Sequence, residues 1–281
     1  MKKVLITGAN GQLGRELTKQ LRDKKVELIL TDVGDLDITN GAVVYFKVKD
    51  IKPDIIINCA AHTAVDKCET QKDLAYKINT IGAKNLAEAA YCVGADIVQV
   101  STDYVFDGEA LKPITEFDST NPQSVYGSSK LQGEILVRNL NPKSYIVRTA
   151  WLYGHGDNFV KNIINLSKTN ESLKVVNDQH GTPTSTVDLS RVIIKLLEEK
   201  NYGLFHCTCK GETTWYDFTK EIFRLKGINT QVIPCGTEEF PRPAKRPKYS
   251  VLQNYMLELT TGDITRSWEE AIKEYVGKLK I

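Results

Sequence analysis

The segment Thr7-Gly8-Ala9-Asn10-Gly11-Gln12-Leu13-Gly14 limits what this chain can fold into more than any other. Before it runs Lys3-Val-Leu-Ile-Thr7, a short apolar stretch that reads as a buried strand. After it, Leu13, Leu17 and Leu21 recur at a helical period, so Gln12 to Leu21 reads as a helix. A glycine-rich turn joining a strand to a helix suits a phosphate group. Gly8 allows the tight turn, Gly11 lets the backbone approach a pyrophosphate, and Gly14 lets the helix lie close on the strand. The helix N-terminus adds open N–H groups and the positive end of its dipole. The spacing is Gly-x-x-Gly-x-x-Gly rather than Gly-x-Gly-x-x-Gly, and an ordinary βα turn is the alternative.

The rhythm set by this unit continues. Val26 to Asp32, Asp54 to Asn58, Asp96 to Ser101 and Tyr145 to Thr149 read as further strands. Between them, Thr39 is expected to cap a helix reaching about Lys49, and Asp73 to Val93 reads as one long helix stopped by Gly94. Asn121-Pro122 is expected to open the next helix. Strands alternating with helices call for a parallel sheet covered on both faces. The expected fold is α/β, a Rossmann-type doubly wound parallel sheet. Residues 1–150 would form the dinucleotide-binding domain. Residues 151–281 would be mainly a smaller substrate-binding lobe, with 172–210 returning to the sheet as the strands Lys174–Asn177 and Leu204–Cys207 and the helix Thr186–Lys200. The stiff, basic Pro241-Arg-Pro-Ala-Lys-Arg-Pro247 is either a linker or a loop over an anionic substrate.

Asp32 ends the second strand, where a carboxylate accepts hydrogen bonds from the adenosine ribose hydroxyls and repels a 2′-phosphate. No Lys or Arg lies inside the glycine turn to offset that charge. NADH is therefore expected over NADPH. Asp37 and Ile38 either reach the adenine or form a plain polar loop. Farther along, Tyr126 and Lys130 stand four apart in Ser124-Val-Tyr-Gly-Ser-Ser-Lys130, on one face of a helix. A nearby ammonium favours a phenolate and is expected to lower the Tyr126 pKa toward a range useful for proton transfer. Alone, such a pair is commonly just an exposed face. Here it follows a glycine turn and a Ser101-Thr102 pair at a strand end.

Composition excludes several classes. A formal net charge of +2 provides no basic footprint for nucleic acid. No apolar run approaches the ~18 residues of a membrane helix, and the short run at Val4 is no signal peptide, so a cytoplasmic protein is expected. The six cysteines lack Cys-x-x-Cys spacing and read as reduced, mostly buried thiols. The four histidines are scattered, and no metal site is expected.

Taken in order, the glycine turn, Asn58-Cys-Ala-Ala61, Ser101-Thr102 and Tyr126/Lys130 resemble the extended short-chain dehydrogenase/reductase family. Asn58-Cys-Ala-Ala-His-Thr-Ala-Val-Asp66, Ser101-Thr-Asp-Tyr-Val-Phe-Asp-Gly108, Arg148-Thr-Ala-Trp-Leu-Tyr153 and Asn177-Asp-Gln-His-Gly-Thr-Pro-Thr184 narrow the likeness to the dTDP-4-dehydrorhamnose reductases, from Lys3 to past Trp268. The resemblance implies reduction, by NADH or NADPH, of the 4-keto group of a dTDP-6-deoxy-L-hexulose to dTDP-L-rhamnose. It implies that Gly11, Gln12, Leu13, Asp32, Asp37, Ile38, Ala61, His62 and Thr63 line the dinucleotide. Tyr126 and Lys130 would meet the nicotinamide ribose and handle the proton, with Thr102 as a third catalytic group bonding the substrate oxygen. Thr102, Asp103 and Trp151 would meet the dTDP-sugar, with Arg246 as a further phosphate contact.

Some members of that family are dimers bridged by a metal on two glutamates. Glu16 stands at the first position, but Val187, beside Asp188, stands at the second, so the metal is not carried over and a homodimer is left open. Nucleotide-sugar epimerases and dehydratases are the nearest rivals. Dehydratases place an Asp-Glu pair after the active threonine, whereas Thr102 is followed by Asp103 and Tyr104. A non-catalytic binding subunit, as in the regulatory subunit of methionine adenosyltransferase, is the rival from another class.

Overall fold

The computed structural model describes residues 1–279, so the last two positions of the expected 151–281 lobe lie outside the described residues. The central sheet contains β1 (Lys2–Thr7), β2 (Val26–Thr31), β3 (Ile55–Asn58), β4 (Asp96–Thr102), β5 (Ser144–Thr149) and β6 (Gly203–His206). Their order is β6-β5-β4-β3-β1-β2, and every neighbouring pair is parallel. The chain builds outward from β1 to β2, then crosses back to β3 and continues the other way. This is the doubly wound arrangement, and its strand order reverses between β1 and β3, where open α/β sheets bind ligands.

Period-two alternation decides which helix covers which face. Val4 and Ile6 point to one side, into a core with Leu13 and Leu17 of α1 (Gln12–Arg22) and Leu189 and Ile193 of the helix Thr186–Glu199. Leu5 and Ile56 point to the other. There they meet Val44 of α2 (Gly41–Ile51), Leu86 of α3 (Ala83–Val93) and Val137 of α4 (Val125–Leu140). Covered on both faces, Ile55-Ile-Ile57 is apolar throughout rather than alternating. Each such side chain stabilises the fold by about 1.5–3 kcal/mol relative to exposure.

A third core, around Tyr153, Ile163, Phe218, Ile222 and Trp268, belongs to the later part of the chain. Here the expectation for 172–210 divides. The helix Thr186–Glu199 and β6 join the sheet layers, but Ser172–Val176 does not. It pairs in parallel with Gln231–Cys235 as a separate two-stranded ribbon. Ser172–Val176 is largely exposed or half-buried, unlike the strands at the centre of a parallel sheet.

Three local expectations also shift. Asn40, not Thr39, caps α2, accepting from Val43 N–H at 3.1 Å, because Thr39 is turned back onto Asp37. Ser124, not Asn121-Pro122, caps α4 by accepting from Gly127 N–H at 3.1 Å. The long helix expected over 73–93 is interrupted by a π-turn at Lys77–Gly82, after which α3 ends at Gly94 with φ +74°. All six cysteines are free, with Cys207 and Cys209 buried in two different cores. Among the described residues no helix is long and apolar enough to cross a membrane.

Candidate active site

A cavity of about 1550 Å³ opens at the carboxyl ends of β1, β3, β4 and β5 and runs under the later lobe. That exceeds the ~300–1,000 Å³ typical of a single small ligand, so two ligands fit side by side. Gly8, Gly11, Gln12, Leu13 and Gly14 line one end. The backbone there leaves no room for side chains. A Cβ on Gly8, at φ +63°, would stand 2.7 Å from Ala60 N, and one on Gly14 would stand 2.4 Å from Gly8 O. No side chain caps α1, so its first-turn N–H groups are left for an anion. The cradle fits the pyrophosphate of a dinucleotide.

Asp32, Asp37, Ile38, Ala61 and Thr63 line the same end. Asp32 is held by Asn10 N–H at 3.1 Å and Val33 N–H at 2.8 Å. Ile38 is fixed by Asn85, which donates to its carbonyl at 2.9 Å. His62 does not line the cavity. Its ring turns to Gln71, with Nε2 3.1 Å from Oε1. One cation was overlooked by sequence. Arg15 lies outside the glycine turn in sequence, yet its Nε donates to Asn10 O at 2.7 Å, which sets a guanidinium beside the turn.

Deeper in, Thr102, Asp103, Tyr126 and Lys130 converge. Lys130 is 3% exposed and donates to Val100 O at 2.6 Å. Burial pulls its pKa down to about 8, opposed by the charge of Glu134. The Tyr126 phenol differs from expectation. Its pKa goes up, because burial outweighs the lowering effect of the nearby Thr102 hydroxyl, and the Asp103 charge raises it further. The phenol therefore stays protonated at neutral pH, the form needed to donate a proton.

The Thr102 hydroxyl donates to Asp103 Oδ1 at 2.8 Å and accepts from Tyr104 N–H at 3.2 Å. Burial pushes the Asp103 carboxyl up to about 6, with the Thr102 and Ser250 hydroxyls pulling the other way. Trp151 and Arg246 complete the far wall. Trp151 has φ +47°, a left-handed conformation that costs a non-glycine residue on the order of 1–3 kcal/mol. Its indole stacks on Trp215, with ring centroids 3.5 Å apart. Arg246 donates to Asp66 Oδ2 at 2.8 Å, and Arg242, Arg246 and Pro247 face the cavity. Of the two readings of the proline-rich stretch, the structure supports the loop over the site.

A family model described as RmlD substrate binding domain matches residues 1–281. The dTDP-4-dehydrorhamnose reductase of Aggregatibacter actinomycetemcomitans is 40% identical over 288 residues, covering 97% of this chain and 98% of that protein. A crystal structure of a dTDP-4-dehydrorhamnose reductase from Clostridium acetobutylicum is 71% identical with a TM-score of 0.99, covering 99% of this chain and 100% of that one. The chain belongs to the dTDP-4-dehydrorhamnose reductase family. Another member, from Bacillus anthracis, was solved in complex with NADP and is 45% identical with a TM-score of 0.96, covering 99% of this chain and 100% of that one.

Two residues that support this reductase-family site gave no signal in the sequence. Asn79, in the π-turn, accepts from His62 N–H at 2.8 Å and donates to Ser129 Oγ at 2.9 Å, tying the loop after β3 to α4. Such π-turns recur at functional sites. Gly127 follows Tyr126, and a Cβ there would stand 2.1 Å from Tyr104 O, so only glycine lets α4 approach the strand end. The Glu16 carboxylate is 2.9 Å from His155 Nε2, and Asp188 is paired with Arg266. Among the described residues, no three His, Cys, Asp or Glu side chains gather as metal ligands.

Proposed function

We propose that this chain reduces the 4-keto group of a dTDP-6-deoxy-L-hexulose with NAD(P)H, giving dTDP-L-rhamnose. The observation that carries this is the convergence of Tyr126, Lys130 and Thr102 in one cavity with the glycine cradle. When bound, the nicotinamide supplies hydride to the carbonyl carbon. Tyr126 donates its proton to the carbonyl oxygen as negative charge develops there. Thr102 turns its hydroxyl from Asp103 to that oxygen, which takes over as acceptor. Lys130 holds its ammonium at the strand end and anchors the ribose. Trp151 and Arg246 hold the sugar and the diphosphate. Tyr104, which stands where a dehydratase would carry a glutamate, packs edge-on against the Tyr126 ring at 5.5 Å and offers no second base. The test is NAD(P)H consumption by the purified protein on addition of the 4-keto sugar nucleotide. No consumption would leave a binding role as the better reading.

The pH dependence follows from Lys130. Its pKa in the free protein is about 8, so the ammonium predominates below that pH and is lost above it. kcat/KM should therefore fall as pH rises through about 8. In Lys130→Arg, whose guanidinium does not titrate in this range, the limb should vanish whatever the residual rate. A wild-type limb that persists unchanged in the variant belongs to another group.

Asp32 supports a preference for NADH, since its charge repels a 2′-phosphate; Arg15, beside Asn10, narrows the margin. Asp32→Ala should lose NADH affinity and shift the NADH/NADPH ratio of kcat/KM toward NADPH by about 1–3 kcal/mol, the range for hydrogen bonds to a charged group. Steady-state kinetics with both cofactors at fixed ionic strength checks this. A ratio that does not move removes Asp32 as the ribose ligand. Cytoplasmic location is the reading consistent with six free thiols. Any homodimer is expected to form without a metal bridge at Glu16, because Val187, which cannot ligate, stands at the second position.

A further inference from the structure

Trp151 reaches the cavity from an unfavourable backbone, which its packing must hold in place. Its indole fills a slot with two walls. One is Trp215, parallel to it within 6° at 3.5 Å. The other is the backbone of Gly181, which is buried and does not line the cavity. A Cβ built on Gly181 would stand 2.4 Å from Trp151 Cε2, 2.6 Å from Cζ2 and 2.7 Å from Nε1. Gly181 is not among the positive-φ glycines, so its backbone conformation does not require glycine; the indole does. Both walls sit on one ribbon. Gly181 pairs with Thr213 and His180 with Thr214, and Trp215 follows at once as the first residue of its helix. Thr182 Oγ1 donates to Gly211 O at 2.7 Å, and Thr184 N–H donates to Trp151 O at 3.2 Å, which locks the ribbon to the Trp151 backbone.

We propose that Gly181 is a positioning residue. The space it leaves empty seats the Trp151 indole against Trp215, and that seating fixes where the sugar stands relative to Tyr126. This inference rests on the reading of Trp151 as a sugar contact. Gly181 does not line the cavity itself, and the atoms a Cβ there would meet first belong to the Trp151 indole, so an effect on the reaction is expected to pass through Trp151.

A double-mutant cycle of Gly181→Ala and Trp151→Ala in the full chain tests this. Gly181→Ala should lower kcat/KM for the sugar nucleotide roughly tenfold to a hundredfold, the scale for displacing a positioning group by about an ångström. The KM for NAD(P)H should stay near wild type. In the Trp151→Ala background, adding Gly181→Ala should change nothing further, since the clash has gone. Trp fluorescence should also change in Gly181→Ala, because Trp151 and Trp215 are two of only three tryptophans. Wild-type kinetics in Trp151→Ala would overturn the reading of Trp151 and the inference with it. An impaired Trp151→Ala in which Gly181→Ala costs the same again would overturn the inference alone. If Gly181→Ala does not fold, the double variant should. Failure of both would mean that the glycine serves the ribbon rather than the indole.

Discussion

Tyr126→Phe is expected to lower turnover by roughly 10²-fold or more, the size of a lost general acid, with NAD(P)H affinity nearly unchanged. The phenol faces the cavity, and burial raises its pKa, which favours the protonated form that a donor needs. The ring also packs edge-on against Tyr104, and phenylalanine keeps that contact. The substitution therefore removes the proton and little else. A purified Tyr126→Phe protein that turns over near the wild-type rate would remove Tyr126 from its role. A variant that loses cofactor binding as well would show that the hydroxyl orders the site rather than donating.

The largest stability effect is expected behind the site. Arg148 of β5 and Glu134 of α4 form a buried two-pronged pair, with side chains 4% and 2% exposed. Nε donates to Oε1 at 3.0 Å and Nη2 to Oε2 at 2.7 Å. Removing one partner of such a pair strands a charge away from water and costs about 3–5 kcal/mol. Glu134→Ala should therefore lower the melting temperature by on the order of 10 °C for a chain of this size. It should also weaken catalysis at neutral pH. The Glu134 charge holds the Lys130 pKa up against burial, so its loss lets more of the lysine go neutral. Thermal denaturation together with the pH profile reads both effects. A melting temperature equal to wild type would contradict the role assigned to the pair.

What the sequence made legible was what local chemistry dictates. The glycine cradle follows from backbone clearance at Gly8 and Gly14, the buried strands from runs such as Ile55-Ile-Ile57, and the shared helix face from the spacing of Tyr126 and Lys130. What it hid depends on contacts between distant segments. Ser172–Val176 has a strand pattern, but nothing local states that its partner is Gln231–Cys235. Arg15 is set beside the glycine turn by its bond to Asn10, and the His62 ring lies against Gln71. The expected effect of Lys130 on Tyr126 assumed an ammonium free to act on the phenol. In the fold burial dominates both groups, raising the phenol and lowering the ammonium.

Deuterium transfer tests the central claim most directly. The protein is incubated with the dTDP-4-keto-6-deoxy-L-hexulose and NAD(P)H carrying deuterium at the transferring position of the nicotinamide. A reductase consumes one cofactor per sugar and leaves the label on carbon 4 of dTDP-L-rhamnose. An epimerase or dehydratase recycles its bound cofactor, and a binding subunit transfers nothing. Stoichiometric oxidation with the label at carbon 4 is the predicted result. Conversion of the sugar without net cofactor oxidation, or no conversion by a protein shown to bind both ligands, would contradict it.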